Sequence, residues 1–225
     1  MVDFKKGKNM RELKDIKKFK KFIKEEKIDK PEVIVTGRSN VGKSTLVRLI
    51  TNNKNVKVGK RPGVTLKINK YPMKNYILVD FPGFGFMSGV DRKVQESIKD
   101  KIVWYIEDNC EKIACSILVI DGKAFSEIVE RWDSRNEIPI DIEMFQFLKE
   151  LKLNPIVLIN KMDKIKRKNW DEQLNKIVKL FGYSPPWRQW LDTFVVGSLK
   201  KNFGWNRLLS MVNRYVEEYR KKRSN

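Results

Sequence analysis

The sequence predicts an α/β domain in three layers: a mostly parallel six-stranded sheet, helices on both faces, and one antiparallel hairpin strand. Three observations lead there. Short apolar runs alternate with segments of helical periodicity along most of the chain. A glycine-bounded loop, GRSNVGKS at residues 37–44, directly follows the first apolar run. The link between Tyr71 and Tyr76 is too short for a crossover helix, so its two strands must form a hairpin.

The predicted strands are residues 33–36, 66–71, 76–79, 114–120, 155–159 and 194–196. Between them, helical spacing places Leu46, Leu49 and Ile50 on one face, then Val94, Ile98, Ile102 and Tyr105, then Leu174, Ile177, Val178 and Phe181. A last helix carries Leu208, Val212, Tyr215 and Tyr219, and its Lys-Arg end complements the helix dipole. Asn169 with Glu172 resembles an N-terminal cap and Gly182 a stop. These stripes read as core. A chain of 225 residues can bury about 70% of its unfolded surface in one such core. The organisation expected is a basic helical extension over 1–30, the main domain over 31–219 and a basic tail over 220–225.

The loop has the spacing of a phosphate cradle. Successive backbone N–H groups must curl around a diphosphate at a helix N-terminus, and glycines permit an approach that a Cβ would block. Gly37, Arg38, Ser39, Asn40, Val41, Gly42, Lys43, Ser44 and Thr45 form this cradle. Lys43 is placed to reach the β and γ phosphates, and the Ser44 hydroxyl to hold Mg2+.

Three further signals follow in order. Asp80, Phe81, Pro82 and Gly83 (DFPG) close an apolar run, where Asp80 can hold magnesium through water and the Gly83 amide can meet the γ-phosphate. Asp-x-x-Gly alone is expected about once per chain, so the order carries the weight. Asn160, Lys161, Met162 and Asp163 (NKMD) close another run, with a carboxylate suited to the N1–H and 2-amino donors of guanine. Adenine lacks that donor pair, and a buried carboxylate left without partners costs on the order of 1–3 kcal/mol. Val196, Gly197 and Ser198, within VVGSLK, end the last run with a small-residue turn whose backbone N–H can meet the guanine O6. Between the first two signals, a polar stretch at 52–65 ends in RPGVT. There Gly63, Val64 and Thr65 form a loop of the kind that orders around γ-phosphate and metal, Thr65 being the second hydroxyl ligand. An ordinary connecting loop is the alternative.

GRSNVGKST, PGVT, DFPGFGFM, NKMD and GSLK together resemble the EngB (YihA) GTPases, within the TrmE-Era-EngA-EngB-septin-like group, over residues 31–219. The resemblance implies a P-loop GTPase fold, GTP and GDP as ligands, Mg2+ dependence, and Lys43, Thr65 and Gly83 at the catalytic centre. It also implies a role in assembly of the large ribosomal subunit, in a family associated as well with division-septum formation. Two segments depart from the family pattern: a longer, charged connection at 121–139 and a Pro- and Trp-rich loop at 181–193. Phe84 stands where many GTPases place a water-orienting Gln, so slow intrinsic hydrolysis is expected. In related GTPases an Asn at the position of Asn40 helps hold K+ beside the phosphates; a local backbone hydrogen bond is the simpler reading.

Composition bounds the partners. A net charge of +20, with 34% charged residues against about 25% in a typical protein, implies attraction to polyanions such as RNA or an anionic membrane. Lys with abundant Glu is also a hyperthermophile habit. There is no His, which excludes His-based catalysis and zinc; Cys110 and Cys115 read as reduced packing residues. No apolar run is long enough for a signal core or a membrane span, and no lipidation signal is present, so a cytoplasmic monomer without DNA specificity is expected. NKMD argues against a metabolic phosphotransferase using the same loop.

Three segments keep two uses each. Residues 1–30 hold twelve Lys or Arg against six acids, with Asn9 and Glu12 as a cap and an apolar stripe of Leu13, Ile16, Phe19, Phe22 and Ile23. That helix either docks its stripe on the domain or serves as a basic arm on ribosomal RNA or a membrane surface. FGFM at 84–87 either packs inward or meets a partner in one nucleotide state. The loop at 183–190 either packs its own aromatics or stacks on unpaired bases.

Overall fold

The computed structural model describes residues 30–53, 67–84, 91–133 and 138–224. The chain divides into a unit of residues Met1–Lys30 and a unit of Pro31–Asn225. The arm expected over 1–30 lies, but for Lys30, outside the described residues, as do Gly63, Val64, Thr65 and residues 85–87 of FGFM.

The main unit runs β1 (Glu32–Thr36), α1 (Lys43–Thr51), β2 (Asn69–Pro72), β3 (Ile77–Asp80), α2 (Arg92–Asn109), β4 (Ile113–Asp121), α3 (Phe125–Asp133), α4 (Ile140–Glu150), β5 (Pro155–Asn160), α5 (Trp170–Leu180), β6 (Phe194–Val196) and α6 (Trp205–Ser224). The six strands form one sheet in the order β2-β3-β1-β4-β5-β6. All pairs are parallel except β2 with β3, where Tyr71 lies opposite Leu78 and Asn69 opposite Asp80. The hairpin strand begins three residues later than its apolar run predicts, at Asn69, and its half-exposed pattern fits an edge.

β1 lies between β3 and β4, so the connections leave it in opposite directions and open a crevice beyond its carboxyl end. The phosphate loop occupies that position. Alternation along the strands sends Val33, Val35, Leu78, Ile117, Val119, Ile156, Leu158 and Val195 to one face, where they pack on Leu46 and Val47 of α1 and Leu208, Met211, Val212 and Val216 of α6. On the other face, Phe81 meets Tyr105 of α2 edge-on at 5.3 Å, and Phe194 joins Phe145 of α4 and Phe181 after α5. The β1 carboxylate Glu32 is buried and accepts bonds from Lys70 Nζ and Tyr105 Oη, both 2.7 Å.

Four sequence expectations are corrected. Val94 is 45% exposed, and the buried stripe of α2 is Ile98, Ile102, Tyr105 and Ile106. The charged connection at 121–139 contains helix α3, whose Phe125 is buried and stacks on Phe181 at 5.0 Å, so apolar anchors at helical spacing lay inside a segment dominated by charge. Asn169 stands at the N-cap of α5 without a side-chain capping bond. The basic residues 220–223 belong to α6. Both cysteines are free, and burial pushes the Cys115 thiol up.

The end of α5 does follow the glycine stop. Gly182 has φ 84°, its N–H bonds to the Lys179 carbonyl, and Tyr183 N–H reaches back to Val178. No atom lies within 4 Å of where a Gly182 Cβ would stand, so only the left-handed backbone opposes a side chain there. Gly182→Ala should therefore cost about 1–2 kcal/mol and lower Tm by a few degrees, while Gly182→Asn should cost less. Thermal unfolding followed by circular dichroism measures both; equal Tm values for all three proteins would refute the backbone account.

Candidate nucleotide site

The phosphate loop is shaped by close approaches. Gly37 has φ 139°, and a Cβ on it would sit 2.4 Å from the Val119 carbonyl oxygen of β4. Gly42 has φ 112°, and its Cβ would fall 2.3 Å from Asn160 Nδ2. Only glycine can hold either place. Asn40, exposed at φ 65°, supplies the third left-handed residue of the curl. Lys43 begins α1 with its ammonium buried, donating to the carbonyls of Gly37 and Arg38 at 2.8 Å each. Ser44 and Thr45 follow on the first turn, half-buried.

Around that ammonium lies a group of desolvated charges. Burial lowers Lys43 to about 8, opposed by the carboxylates of Asp80 and Asp141. Burial lifts Asp80, at the end of β3, to about 6 against the pull of Lys43, and its Oδ1 has no hydrogen-bond partner. Asp141, in the first turn of α4, is raised to about 7 by burial, with Arg38 and Lys43 opposing. Arg38 Nη1 stands 3.8 Å from Asp141 Oδ2, an ion pair without a hydrogen bond.

Gly83 and Phe84 close over this group. Phe84 N–H donates to the Gly37 carbonyl at 3.4 Å, Ser39 N–H to the Phe84 carbonyl at 3.3 Å, and a Cβ on Gly83 would stand 2.9 Å from Ser39 Cα. Phe81 and the Phe84 ring are buried, and Pro82 links Phe81 to Gly83.

The second half of the site is assembled from the ends of β5 and β6. Asn160 donates through Nδ2 to the Val41 carbonyl at 2.7 Å and accepts at Oδ1 from Leu199 N–H at 3.0 Å. Lys161, at φ 65°, spans Asn40 O and Asp121 Oδ2, both 2.6 Å from its Nζ. Met162 is buried, and its N–H bonds to the Gly197 carbonyl at 3.2 Å. Asp163 is exposed and accepts from the Ser198 hydroxyl, which in turn accepts from Lys201 N–H at 3.2 Å. Val196 ends β6 beside Gly197, whose N–H bonds to the Ile159 carbonyl at 3.0 Å.

The structure thus brings residues 37–45 and 80–83 to one crevice and stitches 160–163 to 196–198 beside it. Gly63, Val64 and Thr65 lie outside the described residues. Sequence reasoning missed Asp121 and Asp141. Asp121 carried a usable signal, since like Asp80 it ends an apolar strand; Asp141 is one residue from a helical core stripe and carried none.

Asn160→Ala would leave the Val41 carbonyl and the Leu199 N–H without partners, a loss of about 1–3 kcal/mol for each buried group. Denaturant unfolding should show the midpoint falling accordingly. Asn160→Asp should not rescue it, because a carboxylate would face the Val41 carbonyl; a midpoint equal to wild type in either variant would remove this role.

With this geometry in place, relatedness is specific. Residues 32–161 match the 50S ribosome-binding GTPase family, and residues 112–218 match the Elongation factor Tu GTP binding domain. The chain is 62% identical over 198 residues, 87% of each chain, to the probable GTP-binding protein EngB of Methanococcus aeolicus. It is 47% identical over 193 residues to that of Pyrococcus abyssi, covering 85% of this chain and 87% of the relative. A crystal structure of a probable GTP-binding protein EngB superposes with TM-score 0.73 at 44% identity, covering 83% of this chain and 99% of that one. Era in complex with MgGDPNP and nucleotides 1506–1542 of 16S ribosomal RNA superposes with TM-score 0.59 at 25% identity, covering 82% of this chain and 56% of that one. Motif order, six-stranded topology and these matches agree: the chain belongs to the EngB family of GTP-binding proteins and is a P-loop GTPase.

Proposed function

We propose that this GTPase is a magnesium-dependent switch with slow intrinsic hydrolysis whose partner is the maturing large ribosomal subunit. The observation that carries the switch is the contact of Gly83 and Phe84 with the phosphate loop. Phe84 hydrogen-bonds to Gly37 and Ser39 and Gly83 abuts Ser39, where a γ-phosphate has to fit, so GTP and this contact compete for the same loop. Slow hydrolysis follows from Phe84, whose buried apolar ring cannot orient an attacking water. The family description and the basic surface support the ribosomal partner. Era, a structural relative bound to 16S ribosomal RNA, supports contact with ribosomal RNA in general and not the choice of subunit.

In this reading the hydroxyls of Ser44 and Thr65, with the unpartnered Asp80 carboxylate through water, would hold Mg2+. Bound there, the ion would supply charge neutralisation at the β and γ phosphates. Lys43 would leave the Gly37 and Arg38 carbonyls for the phosphates and Gly83 N–H would meet the γ-phosphate, while Asn40 keeps two readings, a local backbone hydrogen bond or a ligand to K+. Asp163, positioned by Ser198, reads the guanine donors, with Lys161 and Gly197 framing the base.

Asp163→Asn should abolish GTP binding and confer XTP binding, because an amide donor suits the 2-oxo group of xanthine. Calorimetry with both nucleotides measures it; unchanged GTP affinity would remove Asp163 from base reading. The second expectation concerns the partner. Large subunits should pellet more of the protein with a non-hydrolysable GTP analogue than with GDP, and binding should fall steeply between about 50 and 200 mM salt. Equal pelleting in both states would refute the switch, and association with anionic vesicles in place of subunits would favour a module acting in septation or at a membrane surface.

A further inference from the structure

At the free edge of β6, behind the loop that joins it to α6, lies a cleft of about 310 Å3, at the lower end of small-molecule sites. Its lining is not that of a packed core. Trp170 and Phe203 stack at 5.8 Å with 22° between their planes, and the Arg167 guanidinium sits 3.9 Å over the Trp170 ring. Trp187 lines the cleft as well, with Arg188 at 4.9 Å from its ring.

The turn at Trp187–Trp190 divides its aromatics between two tasks. Trp190 packs on Tyr183 at 4.8 Å and donates Nε1–H to the Ser184 carbonyl, which closes the turn on itself. Trp187 instead faces the cleft, held by Asp171, which accepts Nε1–H at 2.8 Å and pairs with Arg188 at 2.9 Å. Asp171 is the only acid in the lining and is already neutralised. Lys166 and Lys168 flank Arg167 in the chain, and Lys201 and Arg207 flank Phe203 and Gly204; all four are exposed. None of these side chains belongs to the phosphate loop, to DFPG or to NKMD.

Flat indole and guanidinium faces beside a cationic rim fit a planar ligand on an anionic backbone. An acidic peptide would satisfy the rim and leave the faces unused. We propose that this cleft holds an unpaired nucleobase of a single-stranded RNA segment, stacked among Trp187, Trp170 and Arg167, with the flanking phosphates on the Lys and Arg rim. The choice of RNA as source rests on the ribosomal reading above; the site itself rests on the cleft.

The test is titration of the GDP-bound full chain with an unstructured eight-nucleotide RNA, read by tryptophan fluorescence quenching. The same strand in a duplex and inorganic polyphosphate serve as charge controls at matched salt. Single strand should quench and the controls should not. Trp187→Ala and Arg167→Gln should each weaken single-strand binding by roughly tenfold with GDP affinity unchanged, and Trp187→Phe should retain most of it. Arg167→Gln leaves the turn untouched, so the test survives if Trp187→Ala unfolds it. Equal response to polyphosphate, or wild-type RNA affinity in Arg167→Gln, would overturn the cleft as a base site. So would variants that bind RNA normally yet pellet poorly with subunits, which would assign the cleft to a protein. Quenching by RNA without pelleting on subunits would overturn the ribosomal reading alone.

Discussion

The Asn160 carboxamide is the joint on which the site depends. It ends β5, yet its donor holds the carbonyl of Val41 in the phosphate loop and its acceptor holds the amide of Leu199 in the base loop. These loops are more than 150 residues apart in the chain, so no local propensity can set their spacing. One side chain, fixed by a parallel strand buried on both sides, does so. Gly42 must lack a Cβ because Asn160 Nδ2 stands where it would be, and Lys161 repeats the link through Asn40 and Asp121. The register of β4 with β5, which sets Asp121 opposite Asn160, is therefore a constraint on nucleotide geometry as well as on the sheet.

A second constraint is charge. Arg38, Lys43, Asp80 and Asp141 are drawn together beneath the phosphate loop, two of each sign, and burial opposes ionisation of the last three. For the carboxylates, whose pKa values are raised, the folded state is favoured at low pH and that contribution fades as pH rises through about 6 and 7. For Lys43, whose pKa is lowered, the contribution is present above its ordinary 10.5 and fades as pH falls through about 8. Near neutral pH both penalties operate together. A bound anion with a cation would relieve them, since phosphates would complement Lys43 and positive charge would complement Asp80, so ligand binding would stabilise the folded chain.

Most of the fold was legible because its signals are local. Apolar runs ended by Asp80 and Asn160 marked buried parallel strands, and Gly182 ended α5 with a left-handed residue that sequence can announce. The hairpin was legible from loop length alone. What was not legible depends on partners distant in sequence. Helix α3 is identified by Phe125 docking on Phe181, contacts hidden among charges, and Val94 fits the stripe by spacing yet is exposed in the first turn of α2. At the site, Asp141 means nothing until α4 brings it beside Arg38. The motif residues could be named from spacing, whereas the bonds among them could not.

The base loop is also held from behind. Ser198 and Phe203 exchange both backbone bonds at 3.1 Å, closing the turn on which Asp163 leans. Gly204 passes so near β6 that a Cβ would fall 2.3 Å from the Val196 carbonyl, and one on Gly197 would fall 2.8 Å from that of Phe203. Phe203 then stacks on Trp170 at the start of α5, whose indole Nε1–H is fixed to the Ile165 carbonyl at 3.1 Å. The hydroxyl that orients Asp163 is thus positioned through rigid contacts from the aromatic edge of the domain. A ligand on that edge that displaced Phe203 would be felt at Ser198, and by reciprocity guanine at Asp163 would bias the edge. Because Ser198 and Phe203 lie on one short closed turn, the base reading proposed for Asp163 and a ligand at the edge would share a single mechanical element.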